Sequence, residues 1–272
     1  MNDKARKNGL NSLPKDVQPL IIEYIHQMKQ VLNAKLIGVY LYGSIALEAF
    51  EVNSDIDFVT VLSAPMTHIE ELLIGEIHRC LNEMYPSLVM DGGYVAREQL
   101  LKIEEVESLH MRINGSEIGE GSILNPVTGW ILYHNGITVI GSEELLDEIS
   151  VSKIKLKQYV NENMTQYWEP RLGYVKNISL DKTSASEIDE EIEWFILGIS
   201  RQFYSLNEGD IVSKIAAGNY MITHFPHHQA ILNEAIRIRL RKEENSYFTS
   251  EKERVNAAVS FIEELFNSCK NK

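Results

Sequence analysis

Cysteine is nearly absent from this 272-residue chain: Cys80 and Cys269 stand far apart and without a metal-type spacing. That excludes a disulfide framework and a thiolate zinc site, and two such thiols read as reduced cytoplasmic ones. Glycine (16) and proline (7) are too few for a low-complexity or fibrous chain. No apolar run approaches the ~20 residues a membrane helix needs, and no apolar stretch follows Lys4, Arg6 and Lys7. The expectation is therefore a cytoplasmic protein with no signal peptide and no membrane partner. Positive charge is also short, with 26 Lys and Arg against 39 Asp and Glu. The deficit lies in residues 1–150, which carry 10 basic against 22 acidic side chains. Such a surface repels phosphodiesters, so no nucleic-acid partner is expected.

Several catalytic signatures are missing as well. There is no Walker lysine motif, no Gly-x-Gly-x-x-Gly and no Gly-x-Ser-x-Gly elbow. His224, His227 and His228 suggest a metal at first sight, but Pro226 interrupts helical pairing and no nearby Cys or carboxylate completes a zinc set. They are read as structural, and Trp130, Trp168 and Trp194 as core anchors.

What is present is a change of period along the chain. Residues 15–33 and 67–84 carry apolar side chains at helical spacing. Between and after them, Leu36–Tyr42, Asp55–Leu62, Leu88–Val95 and Ile137–Ile140 read as strands, the third weakened by Gly92-Gly93. Residues 107–125, rich in Gly, Ser, Asn and Glu, read as a long loop. From about Glu143 the pattern is helical, with helices expected at 152–168, 187–207, 211–224, 228–242 and 250–269. The fold class is α+β: a domain at 1–150 with a mixed sheet flanked by helices, then an α-helical bundle domain at 151–272.

Gly43-Ser44, ten intervening residues, then Asp55-Ile-Asp57 form the informative segment. The period of two in a strand sends Asp55 and Asp57 to one face and Ile56 to the other. Neighbouring carboxylates repel unless a cation joins them, and an oxygen-only pair suits Mg²⁺ carrying substrate phosphates. Gly43 allows close backbone approach to a triphosphate, Ser44 offers it a hydroxyl and an N–H at a helix start, and Ser54 adds a polar neighbour. A third carboxylate would serve as metal ligand or as base for an attacking hydroxyl. Asp91 is the best candidate, being a charge inside the apolar stretch Leu88-Val-Met-Asp. The competing reading of Asp91-Gly92-Gly93 is a turn.

With these residues in hand, the segment Leu41-Tyr-Gly-Ser44 through Ser54-Asp-Ile-Asp57 resembles the signature of polymerase-β-type nucleotidyltransferases. Together with Leu197-Gly-Ile-Ser-Arg-Gln-Phe-Tyr-Ser205, Gly209-Asp-Ile-Val-Ser-Lys214 and Ala217, it resembles the aminoglycoside adenylyltransferases. The resemblance implies a nucleotidyltransferase domain, a helical domain that contributes to substrate binding and closes over ATP, and Arg201 and Lys214 on the ATP phosphates. It also implies that an acid in the cluster Glu187, Asp189, Glu190, Glu191 and Glu193 meets the drug, with Glu191 the choice; the competing reading is a helix start complementing its dipole.

There are departures from the family pattern. Asp91 stands where the family has glutamate, a streptomycin-stacking tryptophan has no counterpart in 114–125, and Arg239 replaces a tyrosine near the nucleotide. These speak against streptomycin and leave spectinomycin open.

The expectation is Mg²⁺-dependent transfer of AMP from ATP to a hydroxyl of a small cationic acceptor, an aminoglycoside or aminocyclitol. Asp55, Asp57 and Asp91 are the catalytic and metal residues, and Gly43, Ser44, Ser54, Arg201 and Lys214 the ATP-binding ones. ATP and the acceptor are the expected partners of a monomeric enzyme. Adenylylation of a protein, and a silent nucleotide-binding regulator, are the alternatives.

Overall fold

Apolar side chains at i, i+3 and i+4 make α1 (Gln18–Leu32) a one-faced helix that buries Leu20, Ile21, Tyr24, Ile25, Met28 and Leu32. The computed structural model describes residues 6–52, 54–104, 109–178, 182–242 and 245–270. The chain divides into two compact units, Met1–Ser152 and Lys153–Lys272.

In the first unit, α1 is followed by β1 (Leu36–Leu41), the short α2 (Gly43–Ala46) and β2 (Ile56–Leu62). α3 (His68–Met84) starts on a reciprocal capping box between Thr67 and Glu70, which satisfies two backbone N–H groups a helix start leaves open. Then come β3 (Met90–Ala96), α4 (Arg97–Leu101), β4 (His110–Asn114), β5 (Glu117–Gly121), α5 (Pro126–Asn135), β6 (Ile137–Ile140) and α6 (Glu144–Asp147). The strands form one sheet in the order β5-β4-β3-β2-β1-β6. β2 and β3 are parallel across the α3 crossover, and the other neighbours are antiparallel.

One sheet face packs on α1 and α3. There Phe58 meets Tyr24 edge-on, and the Tyr24 hydroxyl lies 2.5 Å from Thr60 Oγ1 and donates to Tyr94 Oη at 3.0 Å. His78 closes this buried network with Nε2 at 2.7 Å from Tyr94 Oη. Burial pushes its imidazole down to about 3, so it is neutral at physiological pH. On the opposite face Val59, Val61 and Val95 join Leu100, Leu132 and Leu146. Full burial of each such side chain is worth about 1.5–3 kcal/mol.

One expectation needs correction here. The stretch from residue 109 to 121 is a hairpin, β4 and β5 joined by the two-residue turn Gly115-Ser116, and not a loop; residues 107 and 108 lie outside the described residues. β5 is a solvated edge strand and β4 buries just His110 and Ile113, so the polar composition that suggested a loop belongs to this rim of the sheet. Gly92 and Gly93 lie within β3 and not in a turn. A β-carbon at position 92 would stand 1.9 Å from the Phe58 carbonyl oxygen, so glycine is what lets β3 lie this close to β2.

The second unit is helical among its described residues: α7 (Lys153–Asn163), α8 (Glu169–Lys176), α9 (Ala185–Glu208), α10 (Lys214–His224), α11 (Gln229–Arg239) and α12 (Glu251–Lys270). The single helix expected at 152–168 ends its regular part at Asn163 and continues as a π turn, Met164–Trp168, into α8. Pro170 explains the widened turn, since it has no N–H to return to the carbonyl four residues back. α9 is central. Ser184 and Glu187 cap its start and Gly209 ends it in the left-handed conformation. Ile188, Ile192, Phe195, Ile196, Ile199 and Phe203 are its buried side. Trp168 and Trp194 stack at 4.7 Å, and Trp168 also stacks on Phe195 at 5.5 Å. Among the described residues, no helix is long and apolar enough to cross a membrane.

Candidate active site

The sheet register assembles the acids. In the parallel β2–β3 pair, Asp57 and Asp91 are direct partners, on the face that also carries Val59, Val61 and Val95. Ile56 is fully buried, Asp57 half-buried, and Asp55 exposed just before the strand. The alternation expected from period two is thus present, with Asp55 outside the ladder and not within it.

Gly43 follows β1 and begins α2 with φ +64°. A β-carbon at this position would lie 1.7 Å from Asp57 Oδ2, so the carboxylate rests directly against the glycine backbone. Only glycine meets both demands, a left-handed backbone and no side chain. The Tyr42 N–H donates to the Asp57 carbonyl at 3.0 Å, locking the turn to β2. Ser44 Oγ is buried and has no hydrogen-bond partner among the described residues. A buried hydroxyl in that state costs free energy that an incoming acceptor, such as a phosphate oxygen, would recover. Ser54 is buried and does local work, its Oγ accepting from the Glu51 N–H at 2.9 Å.

Electrostatics sharpen the picture. Burial raises the Asp91 carboxyl above its ordinary value, while Arg112, with Nη2 at 3.3 and 3.4 Å from the two Asp91 oxygens, opposes that rise. Burial, then Asp57, then Asp91 hold the Tyr42 phenol well above its usual range, against a hydrogen bond with Thr128. Tyr42, Thr128 and Arg112 are therefore site neighbours that sequence reasoning missed. Arg112 sits on the strand read as loop, and only the register of β4 against β3, which pairs it with Gly93, brings it to Asp91. An oxygen-only set of crowded carboxylates fits a hard divalent cation, and the residues present fit Mg²⁺ with phosphate ligands.

The other expected residues lie in the helical unit. Lys214 Nζ is 3.1 and 3.4 Å from the Glu193 carboxylate, and Arg239 Nη1 is 3.6 Å from it. Burial lowers the Lys214 ammonium, Glu193 raises it, and Arg239 and Arg201 lower it again. Lys214 thus shares Glu193 with Arg239 and also feels the charge of Arg201. Glu191 is held in two hydrogen bonds by Arg171, at 3.1 and 2.7 Å. The Arg171 guanidinium in turn lies 4.7 Å from the Trp194 ring centroid. The acidic cluster is therefore divided: Glu187 caps α9, Asp189 pairs with Arg254, and Glu191 and Glu193 pair as described. A cavity of about 540 Å³ within this unit is lined by Glu187, Glu190, Glu191, Glu193, Arg171 and Trp194, among others.

Comparison with known proteins agrees with this organisation. Residues 170–264 match the family model for the aminoglycoside adenylyltransferase C-terminal domain. A spectinomycin 9-adenylyltransferase of Enterococcus faecalis is 25% identical over 261 residues, 88% of this chain and 94% of that protein. The fold is that of a spectinomycin adenyltransferase from the same species, whose crystal structure contains ATP and spectinomycin. The TM-score is 0.63 at 18% identity, covering 92% of this chain and 98% of that one. The chain is thus similar to the aminoglycoside adenylyltransferases in its C-terminal domain, and to a spectinomycin 9-adenylyltransferase along nearly its whole length.

Proposed function

We propose that this protein is a nucleotidyltransferase that moves AMP from ATP to a hydroxyl of a cationic aminocyclitol or aminoglycoside, with spectinomycin the first acceptor to test. The observation that carries it is the pairing of Asp57 with Asp91 across β2 and β3, against a glycine turn whose Ser44 hydroxyl has no partner among the described residues. The full-length relative named for spectinomycin supports the acceptor class.

Gly43 and Ser44 take the triphosphate through backbone N–H groups and the serine hydroxyl. Asp55, Asp57 and Asp91 would hold Mg²⁺, which supplies charge neutralisation at the reacting phosphate when bound. Asp91 accepts the proton of the acceptor hydroxyl as its oxygen attacks the α-phosphorus and pyrophosphate leaves. A carboxyl raised by burial is a better base for that step than an exposed one. Arg112 fixes the Asp91 carboxylate from the neighbouring strand. Arg201 and Lys214 are proposed for the phosphates of ATP, supported by the electrostatic coupling of Lys214 to Arg201 and Arg239. Glu191 is proposed for the acceptor's ammonium groups, supported by its place in a cavity of drug-sized volume.

The test is pyrophosphate release with ATP and Mg²⁺ across a panel of aminocyclitols and aminoglycosides. Turnover with spectinomycin and none with streptomycin is expected. Release that needs no added small acceptor, or none with any of them, would overturn the reading.

A further inference from the structure

Outside the proposed active site, one set of metal-ligating side chains converges among the described residues. His227 Nε2 lies 3.0 and 2.8 Å from the two oxygens of Glu264, and His228 Nε2 lies 2.9 Å from Glu264 Oε2. One ligand atom from each of the three residues falls within 4.8 Å of the others. We propose that His227, His228 and Glu264 form a binding site for a divalent transition ion of the Zn²⁺ class, tying the turn before α11 to α12.

Three features of the geometry support a site. First, the ligand types are right: two imidazole nitrogens and one carboxylate suit Zn²⁺, and leave a fourth tetrahedral position to water. Ligands bonded at about 2.0–2.1 Å in that geometry stand roughly 3.3 Å apart, so the two His–Glu264 separations need only small adjustment. Second, the imidazoles are held. The His228 side chain is 10% exposed and meets Phe261 edge-on at 5.5 Å, one helical turn before Glu264 on α12. The two imidazole centroids are 4.4 Å apart, and the His228 N–H donates to the Phe225 carbonyl at 2.9 Å, closing the turn. Third, Pro226 limits the turn's freedom, so less entropy is lost on binding. The proline that breaks helical His–His spacing is thus the residue that brings both histidines to one carboxylate, which arrives from 36 residues further along the chain. The atoms that now share protons would share a cation, and both imidazoles lower the Glu264 carboxyl in its absence.

The proposed catalytic metal site is made of oxygens and prefers Mg²⁺, so the two are separable. The experiment uses full-length protein without an affinity tag, treated with chelator, in an Asp55→Asn, Asp57→Asn background that removes the competing acids. Zn²⁺ titration calorimetry and the visible absorption of Co²⁺ are read together with the thermal midpoint. One equivalent should bind, with a midpoint raised by several degrees and a Co²⁺ spectrum of low coordination number. Excess Mg²⁺ should not compete.

Glu264→Gln and His227→Ala, both at solvent-accessible side chains, should each weaken binding at least about tenfold while circular dichroism stays unchanged. Absence of saturable binding would overturn the site, as would binding that survives both substitutions; the three side chains would then be a hydrogen-bonded clasp only. The result does not depend on any transfer activity.

Discussion

The two units use acidic side chains in opposite ways. In the sheet unit, backbone register and a glycine turn press carboxylates toward one another: Asp57 and Asp91 are strand partners, and Asp55 lies just before the strand that carries Asp57. In the helical unit, acids are matched to cations: Glu191 to Arg171, Glu193 to Lys214 and Arg239, and Glu234 to Arg237 and Arg254. The totals follow the same division, 10 basic against 22 acidic residues over 1–150 and 16 against 17 over 151–272. The difference teaches that acids pressed together by backbone register signal chemistry, while a fully buried acid enclosed by arginines, as Glu234 is, signals architecture.

Neutralising an acid should therefore act with opposite signs in the two units. Asp57→Asn is expected to reduce pyrophosphate release by at least about 10³-fold, the order seen when one preorganised electrostatic group is removed. Without Mg²⁺, the thermal midpoint of this variant should be unchanged or higher, because a like-charge contact is relieved. Full activity would end the functional account, and a collapsed midpoint would end the contrast. Glu234→Gln should do the reverse. That side chain is fully buried, with Arg254 at 3.1 Å, Arg237 at 2.9 Å and Ser246 and the Tyr247 N–H on its oxygens. Removing the charge leaves a buried guanidinium beside a neutral amide and should cost about 3–5 kcal/mol in denaturant unfolding.

Gly43→Ala sits between these cases. The left-handed backbone alone costs about 1–2 kcal/mol for a residue with a side chain. The added methyl also displaces the Asp57 carboxylate, so transfer should fall much further than stability. Equal losses in the two measurements would show that the turn is architectural.

The readable and unreadable parts of the molecule divide along physical lines. Asp55-x-Asp57 was legible because period two is a property of any strand, and Asp91 because a charge in an apolar run has no packing reason to be there. That Asp57 and Asp91 are strand partners was not legible, since register depends on how Gly92 lets two strands approach. The hairpin of β4 and β5 was misread because β5 is a solvated edge strand and β4 fully buries just His110 and Ile113, so neither shows regular hydrophobic alternation. Arg112 was lost with it. The joining of His227 and His228 to Glu264 was out of reach for another reason: a spacing rule sees neighbours in sequence, and this carboxylate comes from the last helix. Among the described residues of the helical unit, five helices were legible in position, whereas α8 and the π turn leading into it were not.

The smallest expected effect is a difference in acid sensitivity, and it tests the two units separately. His78 is neutral in the core of the sheet unit, its folded value lowered to about 3 from an ordinary 6.5. Below about pH 6.5 the unfolded chain binds a proton that the folded one refuses, so stability falls by about 1.4 kcal/mol per pH unit until near pH 3. Glu234 opposes its own burial through Arg237, Tyr247, Ser246 and Arg254, and its folded value is lowered to about 2 from 4.5. Its contribution is complete above pH 4.5 and is lost only between there and about pH 2, again as acid rises. Acid should therefore weaken the sheet unit first. Trp130 reports on that unit, and Trp168 and Trp194 on the helical one. A Trp130→Phe variant and a Trp168→Phe, Trp194→Phe variant thus let urea midpoints be followed by fluorescence for each unit from pH 7 to pH 4. A slope confined to the Trp130 signal between pH 6.5 and 5, and flattened by His78→Gln, is the expected outcome. Parallel slopes in both signals would mean that the two units unfold as one, and that His78 does not carry the difference.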